Sequence, residues 1–409
     1  MIKSRIAHLG LVLAALGFTA ATPVIGLSVA HAAEAVRAEI GGPLQNAQKL
    51  MKSGKNKEAL NELRKADGVS NKTANESYLI ERVRAAAASA AGDYDTAARS
   101  FEALIASGKL GAAEKAQFSE GLIGIYMRAR DFGKANAAIE RQLKDRHDPK
   151  LRAYLIQNYF AMGKTGEATR LLQADLQADE KAGRRPQEDQ LQMLSNIQNK
   201  GGDKNGYINT VEKLATYYPK ESYWLILLNR ISGKPGFSSR LSVDVLRLRM
   251  HHNMLKKPND YMELAQLVLR DGAAGEAVKI IARGYKEGIL GVGPDAARHQ
   301  RLKDLADKNL AEIKTKAAAN EADLVKTGDK DGLVSLGYAL VSAGETAKGI
   351  AMMEAAIKGG DLKRPDDAKL RLGQAYAMAG NKSKAVSTLR TVGGKDGTAE
   401  IARYTIMSL

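Results

Sequence analysis

Apolar side chains recur at spacings of three and four along most of the chain, and short glycine-centred stretches interrupt them. The stretches around Gly92, Arg130, Gly163, Gly344 and Gly380 each end one helical pattern. A small residue follows a few positions later: Ala97, Ala135, Ala168, Gly349 and Ala385. A second helical pattern then begins, carried by Phe101 and Leu104, by Leu172, and by Leu389 and Val392. Such a sequence predicts helical hairpins. Glycine takes the left-handed conformation that ends the first helix. The small residue lets the second helix approach closely, and the bulkier residues one turn on fill the groove. One hairpin cannot bury its own apolar face, so hairpins must stack on their neighbours.

Nine units are expected, with turns near Gly54, Gly92, Arg130, Gly163, Gly202, Ser232, Gly272, Gly344 and Gly380. Two places depart from the pattern. The loop from Ser232 to Ser239 is longer than a hairpin turn, and the Ala-, Lys- and Asp-rich stretch between Pro294 and Gly328 lacks a clear turn. The second reads as a long helix near 295–328 or a degenerate pair. The expected organisation is therefore an N-terminal array over 33–230, an atypical loop and helix over 231–258, and a C-terminal array over 259–409.

Leu336-Gly337, Gly344, Gly349 and Met353 fall at the spacing of the tetratricopeptide repeat, as do Leu372-Gly373, Tyr376, Gly380, Ala385 and Leu389. Tyr217-Tyr218-Pro219 followed by Trp224 is similar to the closing proline and opening tryptophan of adjacent repeats. The chain thus resembles the tetratricopeptide repeat family over most of its length. The resemblance implies an all-α, right-handed superhelical α-solenoid whose first helices line a concave groove for extended peptides or helices. The stretch from Tyr217 to Trp224 also resembles the tetratricopeptide proteins that accompany TonB-type energy-transduction systems.

The start of the chain changes the setting. Lys3 and Arg5 precede an apolar run from Leu9 to Ala30, which ends in Ala30-His31-Ala32. This is the order of a secretory signal peptide, so residues 1–32 are expected to be cleaved and the protein to be periplasmic. No second apolar stretch of spanning length follows, and no stable membrane insertion is expected after cleavage. The chain has no cysteine, which excludes a lipid anchor on cysteine, disulfides and thiol chemistry. The formal charge is +16. It favours acidic partners, but the Lys and Arg residues are spread along the chain, and no nucleic-acid partner is expected.

No motif in the chain predicts an enzyme or a cofactor site. Gly163-Lys164-Thr165 looks like the end of a phosphate loop, but Asn158 stands where its first glycine belongs. Gly291, Gly293 and Ala296 imitate a dinucleotide fingerprint with no strand before them. Beyond residue 32 the histidines are His147, His251, His252 and His299, and no metal site is expected from them. The hydrolase motifs built on His-Glu-x-x-His, Ser-x-x-Lys or Gly-x-Ser-x-Gly do not occur.

The groove-facing position of each first helix is occupied in turn by Gln48, Ala86, Gly124, Gln157, Asn196, Asn229, Gln266, Tyr338 and Gln374. Six of these nine are carboxamides, although Asn and Gln supply only 31 of 409 residues. An amide offers donor and acceptor together, which suits an extended main chain of any sequence. Arg82, Arg270 and Arg371 lie nearby and would add affinity for acidic groups. Tyr126, Tyr159, Tyr338 and Tyr376, with Trp224, are expected to pack rather than recognise. The expectation is a non-catalytic adaptor that binds a protein or peptide partner in the cell envelope. The alternative is an electrostatic module for an anionic envelope polymer such as lipopolysaccharide or exopolysaccharide.

Overall fold

The structure, a computed structural model, describes residues 36–145 and 147–409. The expected signal peptide at 1–32 lies outside the described residues. Among them, the chain forms 20 α-helices and no strand.

Nine helix pairs follow one another. In the first half α1 (Ala38–Lys52) is followed by α2 (Asn56–Asp67), α3 (Ala74–Ala91) by α4 (Tyr94–Ala106), α5 (Ala112–Arg128) by α6 (Phe132–Asp145), and α7 (Pro149–Ala161) by α8 (Thr165–Lys181). Next come α9 (Glu188–Lys200) with α10 (Lys204–Tyr217), α11 (Glu221–Ser232) with α12 (Ser242–His251), and α13 (Pro258–Arg270) with α14 (Ala274–Lys286). The ambiguous stretch after Pro294 is one long helix, α15 (Ala296–Thr327). The series ends with α16 (Lys330–Ser342) and α17 (Thr346–Lys358), α18 (Pro365–Met378) and α19 (Lys382–Leu389), and a final α20 (Thr398–Met407).

Eight of the nine expected turn positions have the left-handed backbone that breaks a helix, including Arg130 at φ 60°. The ninth, at Ser232, does not. There the chain runs through a loop and a 3-10 turn, Ser239–Leu241, before α12 begins. In several turns the residue after the left-handed one caps the next helix. Asp93, Asp203 and Asn381 accept hydrogen bonds from the N–H groups of Thr96, Gly206 and Lys384. Each such cap contributes about 1 kcal/mol.

The helices group into two compact units that divide between Asp175 and Leu176, within α8. In the first, Ile40, Leu63, Ile80 and Val83 bury one cluster, and Phe101, Leu104, Phe118 and Leu122 another. Leu60 packs against both. Alanines Ala85 to Ala88 let α3 sit close to its neighbours on two sides.

In the second unit one large core runs from Val243 on α12 through Tyr261, Ile280, Val334 and Met353 to Ala385 on α19. One of its closest backbone approaches joins α16 and α17 at Gly337 and Gly349. A Cβ on Gly349 would stand 2.3 Å from the Gly337 carbonyl oxygen, so only glycine permits this approach. Residues 231–258 belong to this unit, where they meet the last helices. The loop before α12 and the stretch before α20 share a backbone hydrogen bond, Ser238 N–H to Asp396 O at 3.0 Å.

Candidate functional site

The structure distributes the nine expected groove residues among three environments. Gln157 on α7, Asn196 on α9 and Gln266 on α13 are exposed and have no hydrogen-bond partner among the described residues. Asn229 on α11 is exposed and accepts from Arg249 Nη2 at 2.9 Å. Gln48 on α1 is half-buried. Arg82 bridges hairpins of the first unit, pairing with Glu114 at 2.8 Å and donating to the Tyr78 hydroxyl. Arg270 is exposed and meets its sequence neighbour Asp271.

Gln374 and Arg371 are placed elsewhere, in the interior of the second unit. Both donate to Asp244 on α12, whose side chain is fully buried. Arg247 donates to the same carboxylate at 3.0 Å and grips Glu276 on α14 through two bonds of 2.7 Å. Tyr338 on α16 lies under the guanidinium groups of both Arg247 and Arg371. Burial pushes Asp244 toward the neutral form, but Arg371 and Arg247 outweigh it and hold its pKa at about 2. These residues engage one another instead of facing a partner, and they join α12, α14, α16 and α18 into one charged layer.

A second set of long-range contacts closes the unit. Arg240 beside α12 donates to Asp367 at 2.6 and 2.8 Å and to Asp396 at 2.7 Å. Lys234 pairs with Glu400, and Arg403 on α20 reaches Glu212 on α10 at 2.7 Å. Trp224, fully buried, stacks on His252 with ring centroids 3.8 Å apart and meets the edge of Tyr404 at 6.2 Å. His252 Nε2 lies 2.9 Å from Ser408 Oγ. Gly397 turns the chain into α20 at φ +106°, with Phe237 packed where a side chain would point.

Two cavities flank the charged layer. One, of about 420 Å³, is rimmed by charged groups that include Arg270, Lys363, Arg364 and Asp331. The other, of about 360 Å³, has walls of Leu248, Ile280 and Ala377 and reaches Asp244, Arg247 and Gln374 at its base.

The tyrosines explain how consecutive hairpins are registered. Tyr126 donates to Glu102, Tyr159 to Glu140 at 2.7 Å, and Tyr376 to Glu354. In each case a first helix is pinned to the second helix before it. Burial, reinforced by Glu354, pushes the Tyr376 hydroxyl up to about 12. His299 is likewise structural: it is buried, and its Nδ1 accepts from Gly291 N–H at 3.1 Å, which orders the Gly291–Gly293 loop.

The sequence pattern did not reveal the Asp244 layer or the Arg240 clasp. Their signal was faint: Asp244, Arg247, Arg371 and Gln374 are polar residues on helix faces where the core periodicity calls for apolar ones. Among the described residues no cluster of His, Asp and Glu could hold a metal ion, and no helix is long and apolar enough to cross a membrane.

No protein-family model matches the chain, and comparison with curated proteins finds no match. Several solved structures do match. One, described as Naa15/Naa10 bound to HypK-THB, is 13% identical with a TM-score of 0.35; the match covers 90% of this chain and 66% of that one. A tetratricopeptide repeat protein from Parabacteroides merdae is 12% identical with a TM-score of 0.29, over 81% of this chain and 99% of that one. The maize pentatricopeptide repeat protein PPR10 is 15% identical with a TM-score of 0.29, over 90% of this chain and 56% of that one. The chain thus spans less than two thirds of the length of the first and third. These solved structures are what the chain is similar to, each at low identity and low TM-score.

Proposed function

We propose that this protein is a non-catalytic scaffold that holds a protein or peptide partner along exposed faces of its first helices, within a periplasmic envelope assembly. One observation carries the reading. Gln157, Asn196 and Gln266 are exposed with no partner among the described residues, whereas amides nearby in sequence are buried and used. Asn158 donates to Asn136 at 2.9 Å, and Gln198 accepts from Thr210 at 2.7 Å. The unpaired amides keep both donor and acceptor free for a partner's main chain.

Export is inferred from Lys3, Arg5, the apolar run and Ala30-His31-Ala32. A TonB-type transport system, or polysaccharide export and outer-membrane assembly, would supply such a partner. The test is to replace Gln157, Asn196, Asn229 and Gln266 together by alanine and to repeat a crosslinking pull-down from intact cells. Loss of the captured partner with an unchanged melting temperature is the expected result; undiminished capture would sink the proposal.

A second reading, binding of an anionic envelope polymer, is favoured by Lys363 and Arg364. Both are exposed at the charged cavity, and neither side chain has a carboxylate partner among the described residues, although the Lys363 main-chain N–H donates to Asp331. Salt separates the two readings. Polymer binding should collapse as ionic strength rises, and amide-mediated peptide binding should persist.

A further inference from the structure

We propose that the cavity bounded by α12, α14, α18 and α20 is a binding site for a small apolar molecule bearing one acidic group, of the fatty-acid class. Its volume of about 360 Å³ lies at the small end of the range of roughly 300–1,000 Å³ that ligand pockets occupy. Leu248, Met250, Ile280, Ala377 and Met378 form its walls. Met378 is 42% exposed there, a large apolar side chain with nothing over it.

The polar base does not oppose an apolar guest, because its groups already satisfy one another. Asp244 is held by Arg247, Arg371 and Gln374, and Glu276 by Arg247. Arg283, on the wall, is paired with Glu287 at 2.7 Å. Lys279 differs. It is exposed, next in sequence to the wall residue Ile280, and among the described residues its side chain makes one polar contact, 3.4 Å to the Ser342 carbonyl oxygen. One unneutralised ammonium beside an apolar recess selects a ligand with one anionic end. His251 also lines the cavity. The site shares no residue with the exposed amides of α7, α9, α11 and α13, so it stands or falls independently of them.

The experiment is calorimetric titration of the full chain with decanoate and, separately, with decanol. Saturable binding of decanoate is expected, with decanol weaker. Ala377→Phe, which fills the recess, should abolish it, and Lys279→Met should weaken decanoate roughly tenfold while leaving decanol unchanged. Met378→Trp, at an exposed position, supplies a second blocking variant should Ala377→Phe perturb folding; melting curves check each variant. No saturable decanoate binding, or binding untouched by a folded blocking variant, would overturn the site. Decanol binding as tightly as decanoate would overturn the role of Lys279.

Discussion

Arg240 Nη2 lies 2.7 Å from Asp396 Oδ2, although the two residues are 156 positions apart in the chain. The same guanidinium grips Asp367, so one side chain ties the start of α12 to both ends of the last hairpin. Burial pushes the Asp396 pKa up, but hydrogen bonds from Thr398 and Arg240 win and hold it at about 2. In a repeat array whose units touch only their neighbours, such a contact would not exist.

Arg240→Ala should therefore loosen α20 specifically. The groups are partly buried, so the cost should fall between that of a surface pair and a buried one, about 1–3 kcal/mol. Hydrogen exchange reads the effect locally: amides of α20 should exchange faster while those of α3 and α4 stay unchanged. Uniform protection of α20 in the variant would show that the clasp contributes nothing.

Asp244 offers a harsher test. Asp244→Ala leaves Arg371, Arg247 and Gln374 without their shared acceptor in a buried layer. Removing one member of such a set costs about 3–5 kcal/mol. The second unit should melt well below its normal temperature, as a lower first transition in calorimetry. An unshifted thermogram contradicts the layer.

At Gly349 a single methyl group decides the packing. Gly349→Ala places a Cβ against the Gly337 backbone, where no side chain can rotate away. Overpacking of this kind costs about 1–3 kcal/mol, and denaturant unfolding monitored in the second unit should show it. Gly166→Ala, where a Cβ meets nothing within 4 Å, is the control expected to be close to neutral.

His252 makes the closure sensitive to acid. Burial against Trp224, with His251 adding to it, lowers the His252 pKa to about 4 from the usual 6.5. The folded state thus disfavours the proton that the unfolded chain accepts. Its stabilising contribution is full above pH 6.5 and is lost progressively as pH falls toward 4. His252→Phe keeps a ring on Trp224 without a titrating group, so its melting temperature should vary less across that window than that of the wild type. Parallel profiles for the two proteins would rule His252 out as the cause.

Local chemistry was legible in the sequence. The helix ends at Gly92 and Gly380 rest on a code that needs only neighbouring residues. The small residue at Gly349 and the nine hairpins could be read in the same way, because helix periodicity and turn chemistry act over a few positions; the stretch between Pro294 and Gly328 stays open in the sequence between one long helix and a degenerate pair. Tertiary structure alone decided that α20 returns to α12 and that Arg371 and Gln374 turn inward to Asp244. Their partners lie 127 and 130 residues away, and no local pattern encodes such a distance. The amide on α18 therefore matched its counterparts on α7, α9 and α13 in sequence, and burial in the closed unit gave it a different role.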